Sequence, residues 1–506
     1  MSHGGNVHVL FSLITELPVG GAGPVYRCVT IGVLPSDVLL EIFSFYVDEA
    51  YEDKNAYRLK QLEVWCTLVH VCRTWRKIGF ASPCRLNLRL VCTNRRPVRE
   101  MLDIWPTLPI VVQDWGLRPH QQPHVEDVDN IIAALGHRDR VCEISLGFPS
   151  LSLFHMCSTM MQESFLALTR LNLRSGIDMA MALSDSFLGG SAPSLRSLIL
   201  SHISFPALAK LLLSTNDLVD LRLVKIPHSG YISPETMVTC LSDLASLKIF
   251  HLHFDSPRPR PHQSHQRSSS LVRVDLPALT DFYFRGFNEY IEDFVARINA
   301  PLLINIRVWF FNQLLFDLSQ LAQFIDRGQI FKVQRHAAVV FDTDLAWVRF
   351  FRSQTRDYTA PMFCISSARS EWQLSSMAEV CSSFSSHLRL SSLERLDILA
   401  FTEPENWHDD METIQWLELL LPFTAIRDLY LCKNLVLRLP QALQELTKEC
   451  PREVLPALQS IFVEEHRPLR TMDEAIGPFI AARQLSGHPV AIHRWQPDWE
   501  EYYWRL

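Results

Sequence analysis

One hydrophobic pattern recurs along most of the chain: an apolar residue, two residues of any type, a second apolar residue, one further residue and a third apolar residue. With 48% apolar residues, a single copy arises by chance about one time in nine, so the spacing of the copies is the informative feature. Within residues 141–303 and again within 393–458, successive copies start 23 to 33 residues apart. The first positions of the copies are residues 141, 168, 195, 218, 247, 279, 303, 393, 426 and 458.

The stretches between copies have helical character, most clearly at 205–213, 290–298, 315–325 and 411–421. A strand followed by a helix at this period is typical of a leucine-rich-repeat solenoid, in which each unit buries its apolar face only against its neighbours. We therefore predict an α/β fold over residues 136–506, with a parallel sheet along one face and a C-terminal cap. A doubly wound α/β domain is the alternative, but no glycine-rich phosphate loop follows any predicted strand.

The register of the pattern predicts which side chains fill the interior of successive units. Residues 303–393 should hold two or three degenerate units, with 338–341 and 362–365 as candidate strands, and 488–495 should be the last strand. The middle apolar position of each clear copy should be buried, at Leu198, Leu221, Phe250, Phe282, Ile306, Leu396, Leu429 and Ile461.

A second pattern lies near the N-terminus. Residues 33–43 read Val-Leu-Pro-Ser-Asp-Val-Leu-Leu-Glu-Ile-Phe, and residues 65–78 read Trp-Cys-Thr-Leu-Val-His-Val-Cys-Arg-Thr-Trp-Arg-Lys-Ile. Pro35 and Ser36 suit the start of a helix, and Asp37 lies in its first turn, where an acid is favoured. Together the two segments resemble an F-box, a helical module that docks a substrate receptor onto the Skp adaptor of a ubiquitin ligase. The connection at 46–61 is longer and more charged than is usual in that family, which puts the adaptor contact on that side in doubt.

The resemblance implies a domain at 33–90. The residues around it are interpreted as a linker region at 91–135 and an atypical or disordered leader at 1–32. It also implies two partners, a Skp-family adaptor and, through it, a cullin. With its repeats, the chain is similar to the F-box proteins abundant in mushroom-forming fungi. The adaptor surface is then expected at Leu34, Pro35, Val38, Leu39, Ile42, Phe43, Leu68, Val71, Cys72 and Trp75.

Composition and charge limit the partners and the cellular compartment that we expect for this chain. A net charge of -7 and a pI near 6.3 argue against a nucleic-acid partner. The 12 cysteines show no metal-binding or disulfide spacing and fit reduced thiols in the cytoplasm or nucleus. No apolar stretch reaches the length of a membrane span. The segment 256–270 is rich in proline and serine and reads as a loop inserted between repeats, whereas the aromatic tail at 495–504 suits a cap.

The sequence contains no recognised catalytic motif and predicts no cofactor. His251 and His253 lie on one face of a predicted strand, but no third metal ligand is evident, so no metal site is expected. The chain is therefore interpreted as a non-catalytic protein, the substrate receptor of a Skp-cullin-F-box ubiquitin ligase. A repeat scaffold without ligase recruitment is the second hypothesis, and an enzyme with an unrecognised site is the third.

The substrate, an unknown protein, is expected on the sheet face turned away from the helices. Because strand side chains alternate, the residue between the last two apolar positions of each copy points to that face. Its middle section, Arg222, His251, Tyr283 and Arg307, mixes cationic and aromatic groups suited to an acidic or phosphorylated peptide. The whole row is Asn172, Ile199, Arg222, His251, Tyr283, Arg307, Asp397, Tyr430 and Phe462.

Overall fold

A computed structural model of the chain forms two compact units. The first comprises Met1–Leu117 with Pro123–Ile144, and the second comprises Arg118–Gln122 with Ser145–Leu506. The structure describes residues 34–52, 64–94, 98–105, 107–114, 125–176, 181–255, 273–311, 316–328, 334–352, 360–366, 370–385, 390–401, 409–435, 439, 454–464 and 469–499. The expected leader and the segment 256–270 therefore lie outside the described residues, as do Tyr502, Tyr503 and Trp504.

Among the described residues of the first unit's N-terminal part there are three helices: α1 (Ser36–Glu52), α2 (Val64–Val71) and α3 (Arg73–Ala81). Cys72 separates the last two helices, and its Sγ accepts a hydrogen bond from the Trp75 backbone nitrogen at 3.4 Å, which caps α3. The ring centroids of Phe43 and Trp75 lie 4.7 Å apart in the core of the cluster. Because α1 continues to Glu52, the first part of the charged 46–61 segment is helical rather than a loop.

The expectation of a linker at 91–135 is wrong. This segment, with Leu90, folds into β1 (Leu90–Thr93), α4 (Val98–Ile104), β2 (Ile110–Gln113) and α5 (Val125–Leu135), and the two strands pair in parallel. Both strands are short apolar runs buried along nearly their whole length, and they lack the alternation that marks a half-exposed strand. Trp105 packs edge-on against Trp65 and Phe80 of the helices, so the unit extends past residue 90 to Ile144.

The boundary between the units lies within strand β3 (Val141–Phe148). In the second unit, every predicted copy from 168 to 303 begins one strand of a parallel sheet, which confirms the register of the pattern. In sheet order these strands are β4 (Arg170–Ser175), β6 (Ser197–Ser201), β8 (Asp220–Ile226), β9 (Ile249–Phe254), β11 (Asp281–Gly286) and β13 (Asn305–Phe310). Two short parallel pairs flank them, β5 (Met181–Ala182) with β7 (Ile203–Ser204) and β10 (Val274–Asp275) with β12 (Ile298–Asn299).

The interval 303–393 departs from the predicted repeats. It contains β14 (His336–Phe341), β15 (Leu345–Phe351) and β16 (Met362–Ser366), and the sheet order β13-β16-β15-β14 makes both β15 pairings antiparallel. A tight turn causes the reversal: Asp342 donates its backbone N–H to the Leu345 carbonyl at 2.7 Å, and its Oδ1 accepts from Thr343 N at 2.8 Å. The segments 338–341 and 362–365 are strands as predicted, but they belong to this inserted hairpin arrangement.

Parallel pairing resumes after the insertion, as the copies at 393, 426 and 458 predict. The strands are β17 (Arg395–Ala400), which pairs with β14, then β18 (Asp428–Leu431), β19 (Ser460–Glu464) and β20 (Ala491–Trp495). Strand β20 lies within the predicted segment 488–495. The second unit is thus a mixed α/β structure with a large, mainly parallel sheet.

Helices connect the strands and form a layer on one side of the sheet. Phe250 and Phe282 stack at 5.7 Å, and each also contacts Phe294 of a covering helix. All eight predicted interior residues are at most 2% exposed, which confirms the core positions. In the part of this unit that the structure describes, the α-helices are α6 (Leu151–Met160), α7 (Leu208–Leu212), α8 (Pro234–Leu241), α9 (Asn288–Val295), α10 (Ser319–Arg327), α11 (Ser370–Ser385), α12 (Asp409–Leu420) and α13 (Leu469–Leu485). Helices α7 to α12 pack each against the next.

Candidate functional site

The ten residues predicted to contact an adaptor divide into a surface set and a core set. Leu39, Phe43, Leu68 and Trp75 are buried and form the centre of the three-helix cluster. Val38 is 43% exposed and Val71 is 45% exposed, so part of each side chain is open to solvent or to a partner. The surface set comprises Leu34, Pro35, Val38, Ile42, Val71 and Cys72, of which Leu34 and Ile42 are half-buried.

Phe45 belongs to the same exposed face but was missed from the sequence. It is 73% exposed, and it follows Val38 by seven residues and Ile42 by three, the spacing of one helix face. The helical period was the signal that identifies it. We call Pro35, Val38, Ile42, Phe45 and Val71 the docking face.

Hydrogen bonds hold the three helices in place around this face. Arg76 donates from Nε to the Val69 carbonyl at 3.0 Å, which ties α3 to α2 across Cys72. Trp65 donates from Nε1 to the Arg89 carbonyl at 3.2 Å, and an ion pair joins Arg85 to Glu41 of α1. These contacts therefore hold the helices that carry the docking face in fixed positions.

The four residues predicted to bind substrate lie side by side on neighbouring strands. Arg222, His251, Tyr283 and Arg307 are direct partners in the parallel register of β8, β9, β11 and β13. All four are half-buried and face away from the side that Phe250 and Phe282 fill. The rings of His251 and Tyr283 are 5.4 Å apart. The structure thus brings together the predicted polar row, and its role in binding stays a prediction.

The arginines of the polar row have acidic neighbours at the start of the strands. Arg222 donates from Nε to Oδ1 of Asp220 at 2.8 Å. Burial lowers the pKa of Arg307, and the charge of Asp281 acts in the opposite direction. Both carboxylates begin their strands, so they offset part of the positive charge of the row.

The two histidines on β9 are neutral at physiological pH. Burial, followed by the charge of Arg222, lowers the pKa of His251 to about 4. Burial, followed by the charge of Arg285, lowers that of His253 to about 3. Among the described residues, no group of three His, Cys, Asp or Glu side chains is arranged to hold a metal ion.

Arg285 and Trp309 lie one step further along the same strands and were missed from the sequence. Arg285 pairs in register with His253 and Trp309, and its guanidinium carbon lies 4.4 Å from the Trp309 ring centroid. The repeat pattern ends at Phe284, so it does not include Arg285. Strand alternation was the available signal, because Arg285 shares the face of Tyr283.

The far end of the predicted row does not form an open sheet face, because Asp397 is buried. Asp397 is fully buried and accepts hydrogen bonds from His336 Nε2 and Arg395 Nε, each at 2.8 Å. The neighbouring strand β14 supplies His336, and the sequence pattern did not identify that strand as part of an inserted hairpin. Tyr430 and Phe462 remain half-buried and stack at 4.2 Å.

Comparison with known proteins leaves the family open. No protein-family model matches the chain, and no curated protein matches it. One similar solved structure is the leucine-rich repeat-containing protein LegL7 from Legionella pneumophila, at 14% sequence identity. The match covers 77% of this chain and 98% of that one, with a TM-score of 0.27. A match with this TM-score gives no information on the fold, which the strand pairings above describe.

In the part of the chain that the structure describes, no helix has the length and apolar character needed to cross a membrane.

Proposed function

We propose that this protein is the substrate-receptor subunit of a Skp-cullin-F-box ubiquitin ligase. The docking face would bind the Skp adaptor, and the outer sheet face of the second unit would bind the protein to be ubiquitinated. The observation that carries the proposal is the division of the F-box-like residues. Four of them form a helical core, while Pro35, Val38 and Val71 remain exposed on the surface of that core.

The second unit supports a leucine-rich-repeat interpretation of the receptor part. Its parallel strands recur with the predicted period. Helices pack on the sheet face that carries the repeat's apolar residues, as the contacts of Phe282 with Phe294 and of Phe341 with Trp416 illustrate. Such a stack leaves the opposite sheet face available for a protein partner. The inserted hairpin interrupts the stack without ending it, since β14 pairs in parallel with β17.

A receptor of this kind catalyses no bond change and needs no cofactor. It holds the target protein near a ubiquitin-charged enzyme, so that transfer to a lysine gains from high effective concentration. The reaction would take place in the cytoplasm or the nucleus, where adaptor and cullin are available.

Capture of a recombinant Skp adaptor by the full chain tests the proposal. We expect Val38→Asp and Val71→Asp to abolish capture, because each places a charge in the centre of an apolar contact. Ile104→Asp is the matched control, since Ile104 is 75% exposed on helix α4 of the same unit. Equal capture by all three variants would exclude the docking face, and no capture by the unmodified chain would favour a repeat scaffold without ligase recruitment.

A further inference from the structure

The strand order of the large sheet ends at β20, and this end is more open than the strands before it. Ile492 is the register partner of Ile461, which is 2% exposed, yet Ile492 itself is only half-buried. Leu485, the last residue of α13, is 90% exposed. At the opposite end of the strand order, by contrast, all four residues of β1 are buried. Apolar groups at the open end of a repeat stack favour a further partner.

The backbone of β20 also has a side that does not face β19. Ala491 donates its N–H to the Gln459 carbonyl at 2.9 Å, so its backbone groups face β19. Because backbone groups alternate between the two sides of a strand, those of Ile492 and Arg494 point the other way. A strand edge of this kind is a template for pairing with a strand of another chain.

A stack of rings on the outer sheet face ends at the same strand. The guanidinium carbon of Arg395 lies 3.8 Å from the Tyr430 ring centroid, and Tyr430 and Phe462 stack at 4.2 Å. Phe462 and His493 stack at 4.9 Å. His493 is exposed and lies on the last strand of the described sheet, so a ring on an added strand would extend the stack.

We infer that β20 is a self-association edge, which pairs in antiparallel fashion with β20 of a second copy of this chain about a two-fold axis at His493. The strand has five residues with His493 in the middle, so full overlap places His493 opposite itself. Ile492 of each copy then exchanges backbone hydrogen bonds with Arg494 of the other, which uses the groups that point away from β19.

The side chains of β20 complement one another in this register, which favours a second copy over an unrelated strand. On the outer face, the large Trp495 of one copy lies opposite the small Ala491 of the other. On the inner face, the aliphatic stem of Arg494 covers the half-exposed Ile492. The two His493 rings meet at the axis and join the two ring stacks.

Disulfide trapping in the full chain tests the register. The two His493 Cα atoms should lie about 4.5 Å apart, as in any pair of opposed residues that share no backbone hydrogen bond. That separation suits a disulfide, so His493→Cys should give a covalent dimer on a non-reducing gel after mild oxidation. Ala491→Cys is the matched control: it is equally exposed, but its two copies should lie about 14 Å apart and should not cross-link beyond the level of the unmodified chain.

Sedimentation velocity over a range of concentrations tests the pairing itself. The unmodified chain should reach twice its mass of 58.2 kDa. Arg494→Pro removes one outward N–H from each copy, at an edge position where proline is tolerated, and should weaken the dimer at least about tenfold. Arg494→Ala keeps the N–H and should still dimerise.

Three results would overturn the inference: a chain that stays monomeric at every concentration, a dimer that Arg494→Pro leaves unchanged, or cross-linking of Ala491→Cys as efficient as that of His493→Cys. If Arg494→Pro fails to fold by circular dichroism, the pair of cysteine variants decides. The inference is independent of the ligase role, since Val38→Asp should lose the adaptor and dimerise normally. A chain that captures the adaptor but never dimerises would remove the self-association edge alone.

Discussion

Truncation of Phe282 is the most informative perturbation of the repeat core. Phe282 is 1% exposed, and its ring contacts Phe250 of β9, Phe294 of α9 and Phe324 of α10. One side chain thus links a neighbouring strand and two helices. Phe282→Ala removes all three ring contacts and leaves a cavity in a layer that cannot collapse without moving both helices.

The expected loss of unfolding free energy is about 3–5 kcal/mol, the usual cost of a buried Phe→Ala change. Phe282→Leu keeps most of the volume and should cost about 1–1.5 kcal/mol. Tyr283→Ala, one residue later on the opposite face, removes a half-buried ring of similar size and should cost well under half as much as Phe282→Ala.

Equilibrium urea unfolding, followed by tryptophan fluorescence and by far-UV circular dichroism, measures all three variants. The two signals report a single transition where they coincide. If Tyr283→Ala destabilises the protein as much as Phe282→Ala, or if Phe282→Ala costs less than Phe282→Leu, then the assigned faces of β11 are wrong and the polar row is not a surface.

Three further predictions concern buried ionisable groups. Burial raises the pKa of Asp397, but its contacts with His336 and Arg395 outweigh burial and hold that pKa below the usual 3.8. The stability that ionised Asp397 contributes should therefore be present above pH 3.8 and disappear as the pH falls. Acid unfolding of Asp397→Asn should lack this pH-dependent loss of stability. Burial raises the pKa of Glu292 to about 7. The free energy of unfolding should therefore decrease as the pH rises from about 4.5 to about 7. Thermal unfolding of Glu292→Gln at several pH values should not show this decrease. Burial also raises the pKa of the Cys381 thiol to about 12, so mass spectrometry after brief iodoacetamide treatment should find exposed Cys72 alkylated well before Cys381, and the reverse order would contradict the assigned burial.

Much of the second unit could be predicted because its strands have one buried and one half-exposed face. In β9 and β11, apolar residues such as Phe250 alternate with polar ones such as His251, and alternation fixes both the strand and its register. The same reasoning aligned Arg222 with Arg307 across four strands.

Strands β1, β2 and β15, which are buried along nearly their whole length, were not predicted because they carry no alternation. Strand β15 is apolar on both sides apart from Arg349, and only the turn at Asp342 marks the hairpin. The burial of Asp397 depends on His336, which lies 61 residues away in sequence. Contacts at that separation follow from tertiary structure and leave no local pattern.

The sequence also could not show which apolar residues of α1 are buried and which belong to the docking face. The F-box-like motif identified the helices, but it did not separate Phe43, which packs inside, from Val38, which faces outward. Both are apolar, and only the packing of α1 against α2 and α3 distinguishes them. Exposure of Phe45 follows from the same packing.

Hydrogen–deuterium exchange of the full chain, alone and with a recombinant Skp adaptor, tests the central claim most directly. If the protein is a substrate receptor of a ubiquitin ligase, the adaptor should slow exchange in residues 34–45 and 64–81 and leave strand β11, with Tyr283 and Arg285, unchanged. An adaptor that alters no amide in the two helical segments, or that protects the sheet face instead, would contradict the account.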